Sequence, residues 1–566
     1  MSDTEPATKE KTGSQLVLDA LVDEGVETVF GYPGGAIMPL YDALFSERRI
    51  VHVLVRHEQG AAFAAGGYAR SSGKVGVAMA TSGPGATNLI TGILDAHMDS
   101  VPVVAITGQV RTAIMGTDGF QEADVTSIAQ PCTKRAFLVR RVEDVYPTVR
   151  EAFALARGPR PGAVLVDIPQ DVLKAKTAAA TTTAPPSPPP ALPSESAIEE
   201  AARILASARR PLVIAGGGVR SANAVAAYRE LLTLLRCPHA ATINALGACD
   251  PADKNFIGML GMHGTKRGNR AVNACDVIVA LGMRFDDRVT GRVDRFARQA
   301  TILHFDIDAT EFGKIVNPAV AVRGCLGDTL PALVRAMRAH PPRSYAEWFE
   351  ELAQHGASLP VDRADDGHMS ATTVLDRFFA TVPASAIVTT DVGQHQMWAA
   401  QRQHVDGPQR FITSAGLGAM GFGFPAAIGA KLAHPEATVC AIVGDGGFQM
   451  TMNEMVTMMR YQAPVKILLI DNRRLGMVRQ WQQLFYDRRY SATDLSDNPD
   501  FVMIARAMGV PGRIIERAED LDAGLCALFH DDGPMLLHCA CFPHENVWPM
   551  IPAGAALDDL IEAAPA

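Results

Sequence analysis

Short runs of β-branched and aliphatic residues alternate with longer stretches of helical periodicity along most of the chain. Residues 75–80, 101–107 and 163–168 read as strands that are apolar almost throughout, and each is followed by Gly, Pro or Ser and then a helix-like stretch. Strands without a polar face belong to parallel sheets, whose crossover helices cover both sides. The pattern therefore predicts an α/β protein made of doubly wound parallel sheets. Residues 75–94 and 411–430 carry no charge over 20 positions each, long enough to span a bilayer. Both are interrupted by turn-formers, as in TSGPGATN and TSAGLGAMGFGFP, and read as buried strand-turn-helix units instead.

The alternation fails in two places. Residues 178–196, AAATTTAPPSPPPALPSES, hold six prolines and almost nothing that could be buried, the composition of an extended spacer. A softer break lies at 340–370, with PPRS and VDRADDGHMS. Three domains follow, at 12–177, 197–338 and 370–548, with a tail at 549–566. TSGPGATN and TSAGLGAM each come after a predicted strand, a likeness that suggests duplication of one α/β unit.

Size and charge narrow the range of functions. A chain of 566 residues is too long for one core, and a net charge of −9 lacks the basic face that phosphate contacts demand. No nucleic-acid or membrane partner is expected. At 48% hydrophobic and 20% charged, the bulk is folded rather than disordered. The polar, acidic N-terminus has no apolar signal core. The nine cysteines contain no C-x-x-C, so reduced thiols in a cytoplasmic protein are expected.

The strongest chemical signal is VCAIVGDGGFQM followed by VKILLIDNRRLGM. A strand at 439–443 delivers Gly444-Asp445-Gly446-Gly447, and a second at 465–470 delivers Asp471 and Asn472, with 28 positions from Gly444 to Asn472. Side-by-side strand ends let the Asp445 carboxylate and the Asn472 amide oxygen share one cation. Hard oxygens at the carboxyl edge of a sheet, beside glycines that admit close backbone approach, suit a Mg²⁺–diphosphate. A tight turn followed by a helix cap would account for either string alone, but less well for the pair.

GDG followed by N at this spacing resembles the thiamine-diphosphate signature of the decarboxylase and carboligase superfamily. Within it, residues 14 to 560 resemble the catalytic subunits of acetohydroxyacid (acetolactate) synthases. GYPGGAIMPLYDAL, RHEQGAAFAAGGYAR, TSGPGATNLITGI, GTDGFQE, GMLGMHGT, RFDDRVTG, DVGQHQMWAAQ, GLGAMGFGFPAAIGA and LGMVRQWQ carry that likeness. It implies that Asp445, Asn472 and the carbonyl of Arg474 hold Mg²⁺. Val392, Gly393, Gln394 and His395 would form the diphosphate loop, with Gly446 and Gly447 adding backbone donors. Gly418 and Met420 would hold the aminopyrimidine. Asp471 departs from the usual double Asn, but the ligating Asn is kept.

Glu58 follows a predicted strand at 51–55 and opens a helix of small residues, where a carboxylate would lose solvent and its pKa rise. The bland alternative is a solvated acid favoured by the helix dipole. The resemblance makes Glu58 the acid that exchanges a proton with N1′ of the aminopyrimidine, with Pro84 and Asn88 lining the same end. It also puts Gly34, Gly35, Phe120 and Gln121 beside the reacting centre. Met477, Val478 and Trp481 would form the pocket of the second substrate, where Trp favours 2-ketobutyrate over pyruvate. Because Glu58 and Asp445 lie in different segments, one site needs both, and in the family two subunits supply them.

In the middle segment, strands at 211–214, 277–281 and 301–305 end in Gly216-Gly217-Gly218, Gly282 and Asp306. The glycines alone are weak evidence for a ligand. The resemblance assigns a structural FAD to Arg160, Gly216, Gly217, Gly218, His263, Gly264, Gly282, Arg284, Asp286, Arg288, Asp306 and Asp328. Three positions depart from the family near the substrate entrance: Arg111 for Pro, Ala113 for Arg and Gln170 for Lys. Two lost cations would weaken attraction of an anionic 2-keto acid, which Arg111 would partly restore.

The activity implied is carboligation. Pyruvate loses CO₂ and its two-carbon remainder joins a second pyruvate or 2-ketobutyrate, in branched-chain amino-acid biosynthesis. A homodimer or homotetramer, and a small regulatory subunit, are the partners implied. Pyruvate oxidase and sulfoacetaldehyde acetyltransferase are the nearest rivals, and flavin reduction by pyruvate would mark an oxidase. Glu58 excludes a glyoxylate carboligase, which lacks that acid. A non-catalytic scaffold that binds nucleotide cofactors is the reading from another class; absence of turnover with added thiamine diphosphate would favour it.

Overall fold

The computed structural model describes residues 10–178, 191–340, 343–356, 359–360, 362 and 369–563. Most of the proline-rich seam therefore lies outside the described residues. Three six-stranded sheets, each wholly parallel, account for the predicted architecture. The chain divides into two compact units. One comprises Met1–Pro188, Gly416–Glu436 and Thr451–Pro464, and the other comprises the rest.

The first unit holds β1 (Thr28–Gly31), β2 (Val51–Leu54), β3 (Gly76–Ala80), β4 (Val103–Gln109), β5 (Arg135–Leu138) and β6 (Ala163–Pro169), in the order β2-β1-β3-β4-β6-β5. Strands β3, β4 and β6 are buried at every position, as their apolar runs require. Each fully buried aliphatic side chain stabilises the fold by roughly 1.5–3 kcal/mol.

The second unit holds two sheets. β7 (Pro211–Ala215), β8 (His239–Ala241), β9 (Phe256–Met259), β10 (Val277–Leu281), β11 (Thr301–Asp306) and β12 (Val320–Arg323) run β9-β8-β7-β10-β11-β12. β13 (Ile387–Thr390), β14 (Phe411–Ile412), β15 (Val439–Gly444), β16 (Lys466–Asp471), β17 (Gly512–Ile515) and β18 (Met535–Ala540) run β14-β13-β15-β16-β18-β17. The softer seam at 340–370 contains the helix Ala346–Ala353. Its Trp348 is fully buried and donates from Nε1 to the carbonyl of Pro211 at 3.1 Å.

Renumbered within each sheet, the first and third share one strand order, 2-1-3-4-6-5. That supports duplication of one unit, but not at the strings that suggested it. TSGPGATN follows the third strand of its sheet, whereas TSAGLGAM follows the second strand of the other. The counterpart of TSGPGATN is GDGGFQ, after β15. Small residues after a strand recur wherever a tight turn is needed, so local likeness paired the wrong turns.

The small-residue helix Glu58–Ser72 owes its composition to close packing within the first unit. It lies against the helix Gly423–Ala433. A Cβ on Gly67 would collide with the backbone of Ala426, and one on Gly429 with the carbonyl of Ala64. Phe63 and Phe422 close one end of the contact edge-to-face, centroids 5.5 Å apart. Buried Arg70 pairs with Asp95 at 2.8 Å and Asp99 at 3.1 Å, and lies 4.8 Å over the Phe422 ring. Among the described residues, no helix is long and apolar enough to cross a membrane.

Candidate active site

In the third sheet the strand order reverses between β13 and β15, the place where open α/β sheets bind ligands at their carboxyl edge. β13 delivers Asp391, Val392, Gly393 and Gln394 there, and β15 delivers Asp445. The two turns touch. A Cβ on Gly444 would collide with the His395 ring, and one on Gly447 with the Asp391 carboxylate. His395 is buried, which pulls its pKa down to about 3, and its Nε2 has no hydrogen-bond partner among the described residues. A buried imidazole nitrogen without a partner is unusual enough to need an explanation, and a ligand at this edge would give one.

Asp445 opens the helix Asp445–Thr451, and Asn472 follows β16, the neighbour of β15. Asp445, Asp471 and Asn472 are all buried. Burial, then the charge of Asp471, raises the pKa of Asp445. Burial also pushes Asp471 upward, but the hydrogen bond and charge of His538 and the Arg473 N–H outweigh it and hold Asp471 low. His538 Nε2 lies 2.8 Å from Asp471 Oδ2. Asn498 Nδ2 donates to Asp445 at 2.9 Å and to Asp471 at 3.2 Å.

The Asn472 amide nitrogen donates to Gln394 Oε1 at 3.2 Å. Gln394 donates in turn to Gln480 at 2.9 Å and to the carbonyl of Glu545 at 3.0 Å. Expected diphosphate and metal residues are thus joined in one network. Arg473 reaches φ +55°, a left-handed turn that carries the chain into Arg474. Among the described residues no cluster of three His, Cys, Asp or Glu side chains could hold a metal. The available set is a carboxylate, an amide oxygen and a backbone carbonyl, which suits a hard cation.

The first unit has its own reversal, between β1 and β3. The Gly34–Gly35 turn follows β1, and a Cβ on Gly34 would strike the Thr81 side chain. Thr81 Oγ1 accepts from the N–H of Ala36 at 3.2 Å, and Gln170 Nε2 donates to the carbonyl of Gly35 at 2.8 Å. Asn88, at the end of the helix Pro84–Asn88, donates to Glu58 Oε2 at 3.0 Å. Glu58 is half-buried, so its loss of solvent is less complete than its apolar surroundings in sequence imply. Tyr41, hydrogen-bonded to His52 at 2.9 Å, has its pKa raised by burial and then by the charge of Glu58.

Sequence reasoning missed what fixes Glu58 from behind. Glu454 accepts from the N–H of Arg56 at 2.9 Å and of His57 at 3.1 Å, and Tyr461 accepts from the N–H of Leu54 at 2.8 Å. Burial raises the pKa of Glu454 against these hydrogen bonds. Gln121 adopts φ +59° with its backbone against Gly83, whereas the Phe120 ring is 88% exposed. Gly418, at φ +67°, and half-buried Met420 precede the helix Gly423–Ala433 in this unit. Arg111 and Ala113 are exposed.

The middle sheet has the strand order 3-2-1-4-5-6, the order of dinucleotide-binding sheets. Its reversal lies between β7 and β10, where Gly216–Gly218 meet Gly282. Gly216 N–H donates to Leu281 at 2.8 Å, and Gly218 N–H to Gly282 at 3.0 Å. Asp286 caps the next helix, and Asp306 ends β11 and accepts from the N–H of Asp308 at 2.9 Å. Arg284 stands 3.9 Å from Asp286, while Asp328 is exposed in the first turn of Leu326–Met337. His263 is buried, its pKa pulled to about 4, and its Nδ1 has no partner among the described residues. Gly264 follows it, and a Cβ there would meet the backbone of Leu260. Arg160 belongs to the first unit, where Nε donates to Ser100 at 3.1 Å.

After the Asn472 loop, the helix Gly476–Phe485 lines a cavity of about 590 Å³ with Met477, Val478, Trp481 and Gln482; Tyr486, Arg489 and Ser491 complete its wall. Arg288 Cζ lies 5.9 Å from the centroid of the Trp481 ring.

Three thiamine pyrophosphate enzyme family models match this chain: the N-terminal TPP binding domain over residues 11–128, the central domain over 198–333 and the C-terminal TPP binding domain over 391–539. The chain is 49% identical over 552 residues to the acetolactate synthase isozyme 2 large subunit of Escherichia coli, covering 97% of this chain and 99% of that protein. It is 45% identical to the acetolactate synthase large subunit of Parasynechococcus marenigrum, over 96% of this chain and 90% of that protein. To the same-named protein of Pyropia yezoensis it is 42% identical, over 98% and 96%.

Proposed function

Since the chain belongs to the acetolactate synthase large subunits of the thiamine pyrophosphate enzymes, we propose that it removes CO₂ from pyruvate and joins the remaining two-carbon unit to a second 2-keto acid. The products are 2-acetolactate from pyruvate and 2-aceto-2-hydroxybutyrate from 2-ketobutyrate. Thiamine diphosphate supplies the electron sink for decarboxylation when bound. The domain limits remain those proposed above, 12–177, 197–338 and 370–548.

The observation that carries the reading is the placement of Asp445 and Asn472 on adjacent strand ends, at the reversal of a sheet that also presents His395 and Gln394. Asp445, Asn472 and the Arg474 carbonyl would hold Mg²⁺. Gly446, Gly447 and the turn Val392–His395 would receive the diphosphate. The buried, unpartnered Nε2 of His395 and the glycines that a Cβ would fill support that fit. In the other thiamine domain Glu58, held by Asn88, is the group to exchange a proton with the aminopyrimidine. Met477, Val478 and Trp481 would select the second keto acid.

The middle sheet is proposed to hold FAD in a structural role, supported by its strand order, its glycine-lined reversal and the buried, unpartnered Nδ1 of His263. A homodimer or homotetramer follows from the resemblance, and a small regulatory partner from the "large subunit" designation of the relatives. One assay tests the activity: acetolactate formation from pyruvate with thiamine diphosphate, Mg²⁺ and FAD, with and without 2-ketobutyrate. Flavin bleaching in place of carboligation would favour an oxidase.

A further inference from the structure

Asn498 has no part in this reading, yet it touches both carboxylates at the proposed metal site. Its segment is fastened to the loop after Asn472 by backbone bonds, Leu475 N–H to Thr493 at 2.9 Å and Leu495 N–H to Arg473 at 2.9 Å, and by the ion pair of Arg474 with Asp494. From there the half-buried Asn498 side chain donates to Asp445 Oδ2 at 2.9 Å and to Asp471 Oδ1 at 3.2 Å. Gln449 Nε2 donates to Asn498 Oδ1 at 2.8 Å. That last bond fixes the sense of the amide, because the flipped form would set an oxygen against two carboxylates and an NH₂ against a donor.

Two buried carboxylates at neighbouring strand ends repel each other when both are charged, and a donor shared by the two offsets part of that repulsion. A cation from a Lys or Arg would neutralise Asp445 and compete with a divalent ion, and a further acid would add to the repulsion. An amide gives two N–H donors and no charge. We infer that Asn498 is a positioning residue for the divalent cation, fixing the rotamers of the Asp445 and Asp471 carboxylates by donating to both. This rests on the reading of Asp445 and Asn472 as the side chains that hold the metal. Partners one shell out from a metal commonly change its affinity by about 10–100-fold when removed.

The test is calorimetric titration of Mg²⁺ into the full-length protein with thiamine diphosphate present, checked by the spin-resonance signal of Mn²⁺. Asn498→Ala is expected to weaken Mg²⁺ binding by about 10–100-fold. Adding Asp471→Asn to it should recover most of that loss, because one of the two facing charges is gone; a merely structural Asn498 would gain nothing. Wild-type affinity in Asn498→Ala, or a double variant no tighter than the single one, overturns the inference. Asp445→Ala and Asn472→Ala separate the two levels. If both bind Mg²⁺ as wild type does, the metal pair itself is wrong and the inference falls with it. If both lose Mg²⁺ and Asn498→Ala does not, only the inference falls. Should Asn498→Ala not fold, Asn498→Ser, with one donor instead of two, is read instead: weakened binding supports the role and wild-type affinity rejects it.

Discussion

Glu58 is fixed from two sides, by the Asn88 amide at its carboxylate and by Glu454 at the two N–H groups preceding it. Gln in its place would keep the shape and lose the exchangeable proton. Glu58→Gln should therefore bind thiamine diphosphate normally but lose about 10²–10⁴-fold in turnover, the usual worth of a positioned acid or base. Exchange of the cofactor C2 proton, followed by NMR, should slow in parallel; exchange at the wild-type rate would reject the role. The Glu58 carboxylate was legible only through the family resemblance, since its own surroundings, a strand end opening a helix of small residues, suit a solvated acid at a helix N-terminus better. Glu454 was not, because it reaches Arg56 across 398 positions of chain, and nothing in MTMNEM marks an acid that accepts backbone N–H groups elsewhere. Asn498 escaped for the same reason. Gln170 stood out as a missing cation, and its bond to the Gly35 carbonyl gives the amide a task that sequence could not disclose.

At the scale of elements, periodicity identified strands and helices well, since β3, β4, β6, β10 and β15 are apolar runs buried on both faces. Strand order was not legible, because it is set by how long crossovers return to the sheet rather than by any residue in a strand. The helix Gly476–Phe485 carries Trp481 to the wall of the cavity beyond the loop after Asn472. Trp481→Leu should lower the preference for 2-ketobutyrate over pyruvate by up to about 10–200-fold, the worth of one methylene in an apolar pocket, with acetolactate synthesis intact. A competition experiment with both keto acids reads this directly, and an unchanged product ratio would refute it. The contact of Glu58–Ser72 with Gly423–Ala433 makes a different prediction. Gly429→Ala adds one methyl where the Ala64 carbonyl lies, and overpacking there should cost about 1–3 kcal/mol. Denaturant unfolding would measure that loss, and unaltered stability would mean that the helices part without penalty.

For the whole molecule, three parallel sheets of two designs divide the proposed work: the two with order 2-1-3-4-6-5 take the thiamine cofactor, and the 3-2-1-4-5-6 sheet takes the flavin. FAD should co-purify and stay oxidised while pyruvate is consumed. Loss of its visible absorbance in step with turnover would contradict a structural flavin. One feature of the first unit bears on the biosynthesis of the protein. The helix Glu58–Ser72 waits for partners at Gly423–Ala433 and for Glu454, all encoded hundreds of codons later. At a ribosome speed of about 5–20 residues per second, its small-residue face stays bare for roughly 20–80 s after it emerges. The N-terminal unit therefore cannot finish folding as a nascent chain in its own order, and chaperone demand and truncation sensitivity should concentrate on the interval before Pro464 is made.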